Sequence, residues 1–179
     1  LELRQEAAVL LRQCSSTTGV RDPVWKELDQ DTRQGLKAQL LVSLKQDPSN
    51  PVRRNAGSAI SGIADTVAED FSQLMTEWPE LMPSLSGILG SPTSDATQLT
   101  AVLGVIKDLV PLVGEDMLSQ GPQAVTMLQA SLSHATPEVR AAAARLAFQL
   151  IEDLEADAVA PIGPVMPAVM LALQGFATS

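Results

Sequence analysis

One amphipathic stretch returns along this sequence about every 43 residues, and this repetition limits the fold more than any other feature. Its clearest copy is 50–67, where Asn50 is the predicted N-cap and Pro51 the first helical residue, and an apolar stripe follows at spacings of three and four. This helix is expected to end near Glu69. Val139, Arg140 and Ala143 repeat part of this pattern 87 residues after their counterparts in 50–67. Weaker copies begin near residues 3 and 92.

Further helical stretches lie between these copies, at 32–46, 78–89 and 118–133 and from residue 161 onward. Two of them share a Met-Pro pair, at 82–83 and 84 residues later at 166–167. Helices that alternate with this period are typical of HEAT and armadillo arrays. We call the first helix of each pair A and the second B. The pattern predicts an all-α fold, a right-handed α-solenoid of about four HEAT repeats, each a pair of antiparallel helices.

We expect residues 1–179 to form a single HEAT-repeat solenoid segment of a longer array, with repeat breaks near 20–30, 70–76, 113–117 and 156–160. Asp31 is the predicted N-cap of the A helix at 32–46. The B helix that starts near residue 95 is expected to end near Leu112 and to turn at 113–116. Pro83 and Pro167 are expected to kink their A helices.

The composition argues against an enzyme. Cys14 is the only cysteine and His134 the only histidine, so a Cys or His metal site and a Ser-His-Asp triad both lack partners. Glycines are scattered rather than grouped in a phosphate-binding loop. We therefore expect no catalytic residues, no cofactor and no metal. Cys14 is interpreted as a small buried hydrophobe and His134 as a solvated loop residue.

Charge is distributed unevenly along the chain. Residues 1–60 hold nine Lys and Arg against seven Asp and Glu, whereas residues 61–179 hold three against fourteen. Such an acidic chain is unsuited to nucleic acid and suited to basic proteins. Residues 158–179 carry no charge, but their prolines and glycines oppose a membrane-spanning helix, so no membrane association is expected.

Acidic residues recur at one position of the repeat. Asp65, Asp108 and Glu152 are separated by 43 and 44 residues. Stacked helices lie about 8–10 Å apart, so the three are predicted to form a column of carboxylates on the inner side of the superhelix. Acidic side chains at the C-terminal ends of helices are unfavourable for the helix dipole. Two interpretations stay open, a merely solvated helix end and a column that binds cationic partners.

Part of the sequence resembles the N-terminal arch of the importin-β (karyopherin-β) family, and most closely its importin-four and importin-five branch. The resemblance covers most of residues 4–90. It depends on an ordered set of stretches rather than on one diagnostic motif: 4–12, Trp25, 36–41, Val52-Arg53, 60–64 and 78–81.

The resemblance implies a nuclear transport receptor that shuttles between cytoplasm and nucleus. The family binds the GTPase Ran in its GTP form, and basic import cargo, through B helices on the concave face, and Ran binding releases the cargo. Nucleoporin contacts are a further expectation. The partner-binding residues predicted here are Asn55, Ser58, Asp65, Glu69, Asp108, Arg145, Gln149 and Glu152. The alternative is a HEAT scaffold of another class, of the phosphatase-scaffold or tubulin-binding type.

Overall fold

The structure is a computed structural model that describes residues 24–119 and 122–177. Within these residues it is built from helices, with no strand, which confirms the predicted all-α class. The predicted B helix at 3–14 and Cys14 lie outside the described residues. The α-helices are α1 (Gln30–Gln46), α2 (Asn50–Val67), α3 (Phe71–Glu77), α4 (Leu81–Leu89), α5 (Ala96–Ser119), α6 (Pro122–Leu132), α7 (Pro137–Asp153), α8 (Ala156–Val159) and α9 (Met166–Ala177). Short 3-10 helices cover Val24–Glu27 and Ala160–Val165.

The chain divides into two compact units between Ile88 and Leu89. In the first unit α1 packs against α2, and α2 contacts α3. In the second unit α5 packs along α7, and α7 also contacts α6 and α9. Helices therefore pack mainly against near neighbours in the sequence, as repeats of helix pairs do. That 1–179 form one continuous array stays a prediction.

Leucine, isoleucine, valine and alanine make up most of both cores, and the first core also contains the buried side chains of Trp25 and Trp78. The stripe of α2 is buried at Val52, Ala56, Ile60 and Ile63, which matches the spacing in the sequence. The buried side chains of the second unit include Val102, Leu103, Leu109, Val139, Leu146, Leu150 and Ile162.

The end predicted for the B helix near Leu112 is wrong, because α5 continues through 113–117 to Ser119. Pro111 lies inside it, where a proline costs about 3 kcal/mol. Pro111 is exposed, whereas Val110 just before it and Val113 and Leu118 after it are buried. Burying each of these side chains contributes about 1.5–3 kcal/mol. Packing therefore outweighs the proline and keeps the last two turns helical.

The kinks predicted at Pro83 and Pro167 are also not found in mid-helix. Pro83 is the third residue of α4 and Pro167 the second of α9. At the start of α4 a proline is tolerated because the first turn has no internal partner for its backbone N–H groups. Pro167 lies where the 3-10 helix Ala160–Val165 runs directly into α9. The stretch 71–89 contains two helices, α3 and α4, separated by residues 78–80.

Three aspartates cap helices in the described part of the chain. Asp29, not the predicted Asp31, is the N-cap of α1 and accepts the Thr32 N–H at 2.9 Å. Asp70 accepts the Gln73 N–H at 2.8 Å at the start of α3. Asp95 accepts the Gln98 N–H at 2.8 Å, and Gln98 Oε1 accepts the Asp95 N–H at 2.7 Å. This reciprocal pair is a capping box.

Candidate protein-binding surface

The turns that lead into α2, α5 and α7 share one local hydrogen bond. In each, a side chain accepts the backbone N–H two residues further on: Asp47 from Ser49 at 2.8 Å, Ser91 from Thr93 at 3.3 Å, and His134 Nδ1 from Thr136 at 3.1 Å. The three acceptors are 44 and 43 residues apart. The structural repeat thus extends to the turns, although the residue type of the acceptor differs among them. His134 therefore has a local structural role.

An arginine near the start of α7 fixes the preceding turn. Arg140 Nη1 donates to the carbonyl oxygens of His134 at 2.9 Å and Ala135 at 2.8 Å. Arg53 holds the equivalent position of α2, 87 residues earlier, and is buried. Hydrogen bonds from a charged donor are among the stronger ones in proteins. A cation at the start of α7 is unfavourable for the helix dipole, but the side chain of Arg140 is needed there to hold the turn.

On α2, the predicted residues lie along the narrow side that faces solvent. Asn55 and Ser58 are partly exposed and Asp65 is exposed, at spacings that keep them on one face. Nearly all of the opposite side of α2 is buried. Glu69 follows the helix end and is exposed, and its backbone N–H donates to Gln73 Oε1 at 2.9 Å.

On α5, Asp108 is exposed and forms an ion pair with Lys107 at 2.8 Å. Exposed pairs of this kind contribute about 0–1 kcal/mol, so a partner's cation could replace the lysine at small cost. Asp108 opposes the helix dipole less than its place in the sequence suggested. It lies in the middle of α5, eleven residues before Ser119, rather than at the helix end.

On α7, Arg145, Gln149 and Glu152 share one face, at spacings of four and three. Arg145 and Glu152 are exposed, and Gln149 Nε2 donates to Asp153 Oδ2 at 2.8 Å. Phe148 lies between them and is 60% exposed. Phe148 is not among the predicted residues, although a large apolar residue just outside the buried stripe of α7 was a usable signal.

Two of the three carboxylates of the predicted column lie on helices that pack against each other, and the column itself stays a prediction. Asp108 and Glu152 belong to the same unit, on α5 and α7, which pack directly against each other. Leu154, which follows α7, reaches α5 so closely that a Cβ built on Gly114 would lie 3.2 Å from its Cδ1. Asp65 and Glu69 belong to the other unit. Asp70, which follows Glu69, caps α3 with its carboxylate.

Within the described residues, α5 is the one helix long and apolar enough to cross a membrane. Half of its most apolar window is buried inside the protein. The core helix of a soluble protein has the same properties, so this is weak support for a membrane span. Residues 158–179 contain no helix of that kind in their described part.

A family model described as IPO5-like, TPR repeats, matches residues 48–179. The chain is also similar to a solved structure, that of the karyopherin Kap121p bound to the SUMO protease Ulp1p, with a TM-score of 0.68 and 14% identity. The match covers 98% of this chain and 17% of that chain, so the present chain spans about a sixth of its neighbour's length. No curated protein matches the chain in sequence. At this identity the structural likeness shows the fold alone, an all-α repeat fold of the karyopherin type.

Proposed function

Because this chain belongs to the importin-β family, in its IPO5-like branch, we propose that it is a ligand-binding segment of a nuclear transport receptor. It binds Ran in its GTP form and basic import cargo, without catalysis. A receptor of this kind shuttles between cytoplasm and nucleus and contacts nucleoporins on the way. The family places the chain among transport-receptor scaffolds, and the specific partners are the proposal.

The observation that supports the proposal best is the exposure of polar and acidic residues at one repeat position. Asp65, Asp108 and Glu152 are all exposed, each on a helix whose other sides are largely buried. Because α5 and α7 pack against each other, a basic segment that lies across these two helices meets a carboxylate on each. Complementary charge of this kind accelerates association and selects against acidic partners.

The residues around the carboxylates supply the remaining contacts of the proposed surface. Asn55 and Ser58 offer hydrogen-bonding groups on α2, and Arg145 and Gln149 do so on α7. Phe148 adds an apolar side chain that a partner can cover. Buried aromatic residues surrounded by polar ones often contribute a large share of binding energy. The neighbour Kap121p was solved with a protein bound, which supports a protein rather than a small molecule as the ligand.

The test is a binding assay of this chain with Ran loaded with a non-hydrolysable GTP analogue or with GDP. The proposal expects binding of the GTP form and much weaker binding of the GDP form. A lysine-rich peptide bound to the chain should be released when the GTP form is added. Equal binding of both forms, or binding of neither, would contradict the Ran proposal and would favour the alternative of a HEAT scaffold of another class.

A further inference from the structure

Two kinds of aromatic surface occur in this protein, and the first unit shows the kind that the chain fills by itself. Lys37 Nζ lies 5.8 Å from the ring centre of Trp25 and 5.5 Å from that of Trp78. It also donates to the Glu77 carbonyl oxygen at 2.6 Å, across 40 residues of sequence. Both rings are buried. The cation that these two aromatic faces attract is therefore supplied from within the chain.

The second unit presents an aromatic ring to solvent instead. Among the residues that the structure describes, Phe148 on α7 is the one largely exposed aromatic side chain, at 60%. Ile151 lies three residues further along α7 and is 39% exposed, so the two are neighbours on the helix surface. α7 therefore has an apolar face that a partner can cover.

The repeat position of Phe148 stays open where a neighbouring helix is present. Gly104 on α5 lies 44 residues before Phe148, the same separation as between Asp108 and Glu152. α7 packs along α5, yet Gly104 is partly exposed, and a Cβ built on it would meet nothing within 4 Å. Packing of a following helix thus leaves this position accessible. On α2 the equivalent Ser61 is buried, so the open position belongs to the second unit.

The charges on the two sides of the Phe148 ring have opposite signs. Arg145 lies three residues before Phe148 and Glu152 four residues after it, and both side chains are exposed. Asp153 accepts from Gln149, whereas Glu152 has no hydrogen-bond or ion-pair partner among the described residues. A cation that approaches the ring is therefore repelled on the Arg145 side and attracted on the Glu152 side.

A guanidinium group suits a ring beside a carboxylate better than an ammonium group does. Its planar face stacks on an aromatic ring, while the N–H groups along its edge pair with a carboxylate. Residues four apart on a helix have Cβ atoms about 5–6 Å apart, a distance that one arginine side chain spans. The ammonium group of lysine is compact and strongly hydrated, so it pairs with the carboxylate but gains less from the ring.

We propose that Phe148 and Glu152 form a docking site for an arginine side chain of a basic protein segment, and that this site makes the second unit prefer arginine to lysine. The inference rests on the proposed function, since it names the side chain by which a basic partner is recognised. Asp108, exposed on α5 at the repeat position of Glu152, binds a second cation of the same segment. Its ion pair with Lys107 is exposed and is replaced at small cost.

The experiment compares two peptides of equal length and charge, one with arginine and one with lysine at every charged position. Calorimetric titration into the full chain at low salt measures both affinities. The arginine peptide should bind about twofold to fivefold more tightly, which is the size of a cation–π contact at an exposed ring. Equal affinities would overturn the arginine site and leave the proposed binding of basic partners intact. If neither peptide binds, both proposals fail.

Substitutions at position 148 separate the aromatic face from its apolar bulk. Phe148→Leu keeps an apolar side chain without a ring and should make the two affinities equal, by weakening the arginine peptide alone. Phe148→Trp supplies a better face for a cation and should widen the difference. Ile151→Ala, at the exposed neighbour, is the control and should leave the ratio of affinities unchanged. Equal weakening of both peptides by Phe148→Leu would show a merely apolar contact and would contradict the preference for arginine.

A second copy of this chain is another possible cover for the ring, and sedimentation of the chain alone distinguishes it. The proposal expects the same molar mass with and without Phe148→Ser, and circular dichroism should show that the helices persist, because the side chain is exposed. A dimer that Phe148→Ser dissociates would assign the ring to a contact between copies and would overturn the docking site.

Discussion

Single side chains at helix starts in this protein act mainly through the backbone N–H groups that they satisfy. Asp29 is the clearest case, since its carboxylate accepts both the backbone N–H and the hydroxyl of Thr32. These hydrogen bonds hold the pKa of Asp29 below its ordinary value of 3.8, with the hydroxyl as the larger cause. A helix N-terminus also favours an anion at this place.

We expect Asp29→Ala to lower stability at neutral pH and to have less effect in acid. The pKa is lowered in the folded state, so the contribution of Asp29 is fully present above its unfolded value and is lost as pH falls through the folded one. Urea unfolding at about pH 7 and about pH 3 would measure the difference. Asp29→Asn is the control, because its side-chain oxygen caps the helix without titrating.

Glycines inside helices differ in what surrounds them. A Cβ built on Gly35 in α1 would meet nothing within 4 Å, whereas one on Gly114 in α5 would lie 3.1 Å from Val110 Cγ1 and 3.2 Å from Leu154 Cδ1. Gly35→Ala should therefore raise the free energy of unfolding by about 0.5–1 kcal/mol. Gly114→Ala should give a smaller gain or a loss, because Leu154 must move. Chemical denaturation of the two variants tests this, and equal gains would contradict the close approach of Leu154.

At the scale of elements, α5 shows how packing decides where a helix ends. It contains Pro111 in its interior, where the proline removes one backbone hydrogen bond. The helix nevertheless continues for eight more residues, because the side chains that follow Pro111 continue the buried stripe. The same residue type at position 83 falls in the first turn of α4, where it disturbs nothing.

Replacing these two prolines should therefore give different results. Pro111→Ala restores a backbone donor at an exposed position and should raise the free energy of unfolding by about 1–3 kcal/mol. Pro83→Ala should change it by less than about 1 kcal/mol, and in the unfavourable direction, since it only adds freedom to the unfolded chain. Thermal and urea unfolding of both variants supply the measurement. A stabilisation at position 83 as large as that at position 111 would show that the position in the helix is not the cause.

For the whole molecule, the uneven distribution of charge is the property that bears on function. The chain has a formal net charge of −9, and the excess of acid lies after residue 60. Exposed carboxylates attract cations over distances set by screening, about 10 Å at 0.1 M salt. Binding of basic partners should accordingly depend on ionic strength.

We expect a variant with Asp108→Asn and Glu152→Gln to bind a lysine-rich peptide about fivefold more weakly, because two exposed contacts of about 0.5 kcal/mol each are lost. Its affinity should also depend less on salt. The matched control removes two exposed carboxylates elsewhere, with Asp31→Asn and Glu138→Gln, and has the same net charge. Calorimetric titrations at two salt concentrations compare the variants, and equal losses in both would attribute binding to net charge rather than to the proposed column.

The resemblance to the importin-β family, seen over residues 4–90, is confirmed by a family model that matches 48–179. The sequence placed α2 to within two residues, because a proline in the first turn and an apolar spacing that runs to Val67 are local signals. The predicted N-cap Asn50 is wrong, since Ser49 is the N-cap, and the helix ends at Val67 rather than near Glu69. The repeat also related Val139 and Ala143 of α7 to Val52 and Ala56 of α2, and all four are buried. The partner-binding role of the eight residues named from the sequence remains a prediction, although all eight are at least partly exposed.

Periodic apolar spacing and turn residues are local signals. The sequence by itself therefore determined the all-α class, the repeat length and the helices that begin at a proline. Only the tertiary structure decided that α5 passes Pro111, that Asp29 rather than Asp31 caps α1, and that Lys37 lies between Trp25 and Trp78. Each of these depends on residues brought together by packing or on competition between neighbouring caps. A spacing in the sequence carries no information about which of two nearby aspartates reaches an N–H group, or about a contact made across 40 residues.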